Sequence, residues 1–173
     1  MTAPNTASRP GSTATFPSGP DPVDVLLVCT TGGHLLQLAA LRPAWAGFDA
    51  AWVTHEVSDA ESILRDERVY YAYFPTTRNV RNLLRNCLLA WRIVRRTRPK
   101  AMITTGAALA VPFSWAARLQ GVEVVYIESF SRIEKPSLTC RLVRRAASRV
   151  YVQWADLEPR VRGSRYVGSV FSS

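Results

Sequence analysis

Three short segments carry the side chains best suited to chemistry. Residues 30–34 read TTGGH, residues 104–112 read TTGAALAVP, and residues 126–132 read YIESFSR. In the first, glycines let the backbone approach a ligand closely. A helix starting near Gly33 adds free N–H groups and the positive end of its dipole. Together these suit a phosphate or a diphosphate. The segment lacks the Gly-Lys-Ser/Thr of a P-loop and the G-x-G-x-x-G of a dinucleotide site. A tight strand-to-helix turn without a ligand fits it as well. His34 falls in the first helical turn, where an imidazole serves as base, as hydrogen-bond donor or as a structural residue. The second segment repeats the theme with Thr104, Thr105, Gly106 and Ala107. The third supplies Glu128, a carboxylate able to take a proton from an attacking hydroxyl. A capping carboxylate, or one paired with Arg132, fits the same position.

Such groups act only if secondary structure brings them together. Residues 25–29 (VLLVC) are a continuous apolar run, the mark of a strand buried on both faces. A helical pattern follows from residue 33 to about residue 46, with Pro43 in its last turn. Further strands are predicted over residues 50–54, 69–74, 101–106, 122–129 and 149–154, and helices over 58–66, 79–97, 107–120 and 138–147. Ser58 and Glu61 have capping-box spacing, Gly121 is a helix stop, and YVGSVF at the end is short and extended. Strands alternating with helices predict an α/β fold: a Rossmann-like parallel sheet with helices on both faces. In such sheets ligands bind at the carboxyl ends of the strands, where all three segments fall.

The 173 residues are 47% hydrophobic, enough for one domain with a real core and too apolar for a disordered chain. The net charge of +9 calls for an anionic partner: nucleic acid, anionic lipid or a phosphorylated substrate. Only Lys100 and Lys135 are lysines, and a codon-biased genome accounts for the arginines equally well. Three distant cysteines and two histidines argue against a disulfide framework or a structural metal, so no metal is expected. The missing G-x-G-x-x-G argues against an NAD- or S-adenosylmethionine-dependent enzyme, so no cofactor is expected. Residues 1–22, rich in Pro, Ser and Thr, read as a disordered tail, leaving residues 23–173 as the domain. No stretch reaches the roughly eighteen apolar residues of a membrane span.

Residues 79–97 form the longest predicted helix. Val80, Leu83, Leu84, Cys87, Leu88, Trp91 and Val94 make one apolar stripe, with Arg81, Arg85, Arg92 and Arg96 beside it. Leu89 and Ile93 lie off that stripe. A basic amphipathic helix carrying a tryptophan suits an anionic membrane surface. The same residues suit a helix that packs its stripe on the sheet and leaves its arginines in water.

With these residues in view, the chain resembles a family: the membrane-anchoring subunit of the two-part UDP-N-acetylglucosamine transferase of asparagine-linked glycosylation. The closer resemblance is to its bacterial exopolysaccharide-synthesis relatives. It runs from about Val25 to Phe171 and rests on TTGGH, DAESILRDERVYY, RNVRNLLRNCLLAWRI, TTGAALAVPF, YIESFSR, SLTCRL, VQW and YVGSVF, in that order. The resemblance implies the N-terminal, acceptor-side half of a GT-B glycosyltransferase, inactive without a separate donor-binding subunit that holds most of the UDP-sugar. It implies a polyprenyl-diphosphate-linked glycan as acceptor. Thr31, Gly32, Gly33, Thr105, Gly106, Ala107 and Arg132 would face the diphosphate. Glu128 and His34 match the acidic residue and the glycine-loop histidine of the related peptidoglycan glycosyltransferase, and are the expected catalytic pair. Eukaryotic members carry an N-terminal span; here anchoring would fall to Arg81, Leu84, Arg85, Leu88, Trp91 and Arg92. The expected location is cytoplasmic, peripheral on the inner face of the plasma membrane. A membrane scaffold without catalytic residues is the first alternative. A nucleic-acid-binding module is the second, and the absence of any such motif argues against it, so no nucleic acid is expected.

Overall fold

The computed structural model describes residues 19–76 and 79–171. Most of the expected tail (residues 1–18) and Arg78 lie outside the described residues. Of the tail's last residues, Asp21 donates its N–H to the Arg96 carbonyl (3.2 Å) and accepts from the Tyr70 hydroxyl.

Seven parallel strands form one sheet: β1 (Val25–Val28), β2 (Ala50–His55), β3 (Arg68–Ala72), β4 (Ala101–Thr104), β5 (Glu123–Ile127), β6 (Arg149–Val152) and β7 (Ser164–Tyr166). Their order is β3-β2-β1-β4-β5-β6-β7. The order reverses between β1 and β4, which pair from Val25↔Ala101 to Val28↔Thr104. The turns leaving these two strands therefore emerge side by side, at the position where open α/β sheets bind ligands.

Alternation along the strands sorts the core into layers. Leu26, Val28, Val53, Met102 and Val124 face α3 (Val80–Thr97) and α4 (Ala110–Leu119). Tyr126, Val150 and Val152 face α5 (Leu138–Val143) and the 3-10 turn at Ala155–Arg160. On the other side Val25, Leu27 and Trp52 pack against α1 (Gly33–Ala40) and α2 (Ser58–Ile63). That cover ends beyond β4. Ile103, Val125, Ile127 and Tyr151 are only half-buried and floor an apolar groove of about 400 Å³. Leu41 and Trp45 wall it on one side and residues 167–170 on the other.

Helix α3 turns its stripe outward. Leu83, Leu84, Leu88 (63% exposed) and Trp91 face solvent, while Leu89, Ala90, Ile93 and Val94 fill the core. Each fully buried aliphatic side chain is worth about 1.5–3 kcal/mol, so the residues off the stripe fix the helix. Only Val94 of the stripe is buried, which corrects the alternative in which the stripe packs on the sheet. Asn82 and Asn86 share the inner face. Asn86 accepts from the Tyr73 N–H and donates to the Tyr73 carbonyl, both at 3.0 Å, and Asn82 donates to the Pro75 carbonyl at 2.9 Å. They satisfy backbone that has left β3. Asn79 caps the helix by accepting from the Asn82 N–H, worth about 1 kcal/mol.

Several helix ends differ from the sequence pattern. Helix α1 stops at Ala40, and Pro43 sits in a separate 3-10 turn, Arg42–Ala44. Helix α4 begins at Ala110 because Gly106 and Ala107 have φ of +105° and +65°, outside the right-handed helix. Helix α5 ends at Val143, short of Ala147. The capping box is absent: Ser58 is the first residue of α2, behind an extended Val57 whose side chain caps nothing.

Candidate functional site

The two glycine turns meet at the carboxyl edge and are stitched together by a reciprocal pair of hydrogen bonds. His34 Nδ1 lies 2.8 Å from the Thr105 carbonyl, and Thr105 Oγ1 donates to the His34 carbonyl at 2.8 Å. A carbonyl only accepts, so Nδ1 carries the hydrogen and Nε2 of the neutral ring keeps its lone pair. Gly106 fits closely beneath this pair. A Cβ there would lie 3.2 Å from the Tyr126 hydroxyl and 3.6 Å from His34 Cε1, on a backbone with φ of +105°. Ala107 follows with a left-handed backbone of its own, the kind of strain that gathers at functional sites.

At the start of α1 the N–H groups of Gly33, His34 and Leu35 take no partner among the described residues, the usual state of a helix N-terminus. The Gly32 N–H is different: it donates to Asp59 Oδ2 at 3.2 Å. Thr31 is half-buried in the turn before Gly32.

Glu128 is 1% exposed. Oε1 accepts from the Ser129 N–H (2.8 Å) and the Tyr126 hydroxyl (3.2 Å), and Oε2 accepts from the Ser137 N–H (2.8 Å). The carboxylate thus ties both ends of the loop between β5 and α5. Burial and this carboxylate push the Tyr126 hydroxyl far above its ordinary range, and the Cys140 thiol up to about 12. Arg132, on the same loop, is exposed and forms no ion pair with Glu128 among the described residues.

Two glutamines absent from the expected site hold its parts in place. Gln37, on α1, donates to the Gly33 carbonyl (3.1 Å), and its Oε1 accepts from the Phe130 N–H (2.9 Å) and from Gln153 Nε2 (2.8 Å). Gln153 also donates to the Glu128 carbonyl (2.9 Å) and accepts from the Val170 N–H (3.0 Å). The glycine turn, the Glu128 loop and the chain beyond β7 therefore share one buried network, which is rigid because every member is satisfied. The only sequence signal for them is an amide inside an apolar run, as in VQW.

The expected membrane residues Arg81, Leu84, Arg85, Leu88, Trp91 and Arg92 are all exposed on α3, and Arg85 lies over the Tyr73 ring, 5.4 Å from its centroid. No helix of the described residues is long and apolar enough to cross a membrane, and none of their His, Cys, Asp or Glu side chains gather as a metal-binding cluster.

A parallel sheet whose order turns at β1 and β4, with paired glycine turns above it, defines a class of domain: a Rossmann-like α/β domain. MurG of Acinetobacter baumannii shares the fold with a TM-score of 0.72 at 19% identity, over 88% of this chain and 47% of its own. Residues 49–170 match the family described as oligosaccharide biosynthesis protein Alg14 like, and the chain belongs to that family. The UDP-N-acetylglucosamine transferase subunit ALG14 of Eremothecium gossypii is 33% identical over 103 residues, covering 53% of this chain and 46% of that subunit. The chain thus spans about half of that relative. The subunit of the same name from Rattus norvegicus is 28% identical, with 84% and 82% covered.

Proposed function

We propose that this protein is the acceptor-side subunit of a heteromeric, inverting UDP-sugar glycosyltransferase. It rests on an anionic membrane surface, presents a polyprenyl-diphosphate-linked sugar and recruits a separate donor-binding subunit. The observation that carries the reading is the bare half of the sheet. Parallel strands are ordinarily covered on both faces, yet Ile103, Val125 and Ile127 floor a groove lined by no charged side chain. An uncharged apolar surface of this kind suits a protein partner, and we assign it to the donor-binding subunit.

In this reading the acceptor diphosphate lies across the two glycine turns, against the free N–H groups of α1, with Thr31, Thr105, Ala107 and Arg132 around it. His34 is the group placed to touch substrate: its Nε2 lone pair is open to a hydroxyl proton while Nδ1 is held by Thr105. Glu128 is the second expected base. Its oxygens already hold the loop, and it acts by keeping Ser129 and Ser137 where they are. The outward face of α3 supplies membrane contact, apolar at Leu84, Leu88 and Trp91 and basic at Arg81, Arg85 and Arg92.

The test is sugar transfer with labelled UDP-sugars, by the purified chain alone and by the chain with its co-purifying companion. Transfer into a lipid-extractable product only by the pair supports the reading; full-rate transfer by the chain alone refutes it. One observation favours the scaffold alternative, namely that both Glu128 oxygens are already committed. His34→Ala decides between them. A fall of about 10²–10⁴ in transfer by an intact complex assigns His34 a proton-transfer role, whereas unchanged transfer makes the subunit a scaffold.

A further inference from the structure

Beside α5 lies a second cleft, of about 650 Å³, in which Lys135, Arg141, Arg144, Arg145, Arg160 and Arg162 converge. Glu134 is the single carboxylate among its lining residues, so the cleft holds a net +5 of the chain's +9. Among the described residues, three cations outside the cleft are paired with carboxylates: Arg68 with Asp21 and Asp49, Lys100 with Asp24 and Arg42 with Glu67. Among the same residues no cleft cation enters an ion pair. The site is partly fixed. Arg160 Nη1 donates to the Glu134 carbonyl at 2.8 Å, and Cys140, beneath Arg141 and Arg144, is fully buried. Five guanidinium forks without carboxylate partners match the oxygens of a phosphate group.

The surroundings indicate where that phosphate comes from. Leu138 (70% exposed) and Leu142, one helical turn apart, share the outward face of α5 with Arg141. Trp115 of α4, itself exposed, donates its indole N–H to the Leu142 carbonyl at 3.3 Å. Gln120, just past α4, donates to the Trp91 carbonyl of α3. The cleft therefore opens at the margin of a continuous helical layer with apolar side chains directed outward. A phosphate met there is one with acyl chains beneath it.

We propose that this cleft binds the headgroup phosphate of an anionic phospholipid, as a second membrane contact separate from α3. The inference rests on the membrane reading above. The experiment is vesicle co-sedimentation of the full chain with phosphatidylcholine vesicles, with and without phosphatidylglycerol. Arg144→Gln/Arg160→Gln is compared with Arg65→Gln/Arg149→Gln, which removes the same charge elsewhere. At about 1 kcal/mol per basic residue at an anionic surface, the cleft pair lowers affinity for phosphatidylglycerol vesicles by at least about tenfold. It leaves the weaker binding to pure phosphatidylcholine unchanged, and the control pair loses less than about threefold. Equal losses in the two pairs, or no loss in the cleft pair, overturn the proposal. Cleft-dependent binding of inorganic pyrophosphate in solution, with vesicle binding untouched, overturns the lipid source. Circular dichroism melts confirm that both pairs fold. Leu84→Ser/Leu88→Ser tests the parent reading separately: undiminished vesicle binding there removes α3 from the membrane and leaves the cleft result standing.

Discussion

On one side of the sheet α3, α4 and α5 cover the strands and then show solvent a second apolar surface, at Leu84, Leu88, Trp91, Leu119 and Leu138, ringed by arginines. On the other side α1 and α2 cover β1 to β3 and stop, and the apolar surface left over belongs to the sheet itself, a groove lined by no charged side chain. The two surfaces are both hydrophobic yet chemically distinct. Convex helices with cationic rims fit a fluid, anionic interface. A concave, uncharged sheet floor fits a solid partner with complementary side chains. One domain thus has two kinds of unfinished surface, and each constrains what can complete it.

The largest effect expected from breaking this contrast lies within α3. Ile93→Asp buries a carboxylate in the core and should cost about 4 kcal/mol or more of stability. Leu88→Asp, on the opposite face, should leave the melting temperature within a degree or two and lower vesicle affinity about tenfold. A reversed outcome in melts and sedimentation would mean the helix faces the other way. Next comes the groove. Val125→Arg should weaken capture of the companion subunit by at least about a hundredfold, as burial of an unpaired charge at an interface centre does, with vesicle binding unchanged. Loss of both functions together would merge the two surfaces into one. Gly106→Ala adds a Cβ 3.2 Å from the Tyr126 hydroxyl on a left-handed backbone, and should cost about 1–3 kcal/mol in denaturant unfolding.

The smallest effect is a pH dependence. Burial holds His55 below its ordinary value of 6.5, and its Nε2 has no partner. Below that value the unfolded chain binds a proton that the folded chain refuses. Stability is therefore flat above 6.5 and falls as the pH drops towards the depressed folded value, with a slope of at most about 1.4 kcal/mol per pH unit from this group. His55→Leu should flatten the slope in that window, measured as the difference from the wild-type protein.

The strands were legible because each is a short apolar run bounded by turn residues. β1 and β2 are buried on both faces as such runs require, while β4, β5 and β6 alternate between buried and half-buried residues along the groove. The glycine turns were legible for the same local reason: Gly32 and Gly106 both have positive φ. Helix α3 was legible as a helix but not in its orientation. Hydrophobic spacing cannot choose a face when apolar residues run nearly all round, and here the choice falls to Asn82 and Asn86, whose amides satisfy the backbone of residues 73–75. Gln37 and Gln153 were illegible because their partners are remote. The Gln37 bonds to Phe130 and Gln153 span 93 and 116 residues, distances over which no local pattern carries information.

The Asp59 carboxylate at Gly32 has a consequence for any anion that reaches the first glycine turn. An N–H has one hydrogen to give, and this one is already given to an anion of the chain itself. A ligand that takes it must exchange with Asp59, so occupancy depends on the difference between two negative groups rather than on the attraction of one. The displaced carboxylate is the second residue of α2. Arrival at the turn and release at the start of α2 are then a single event, and the segment between β2 and β3 registers what the turn between β1 and α1 has bound.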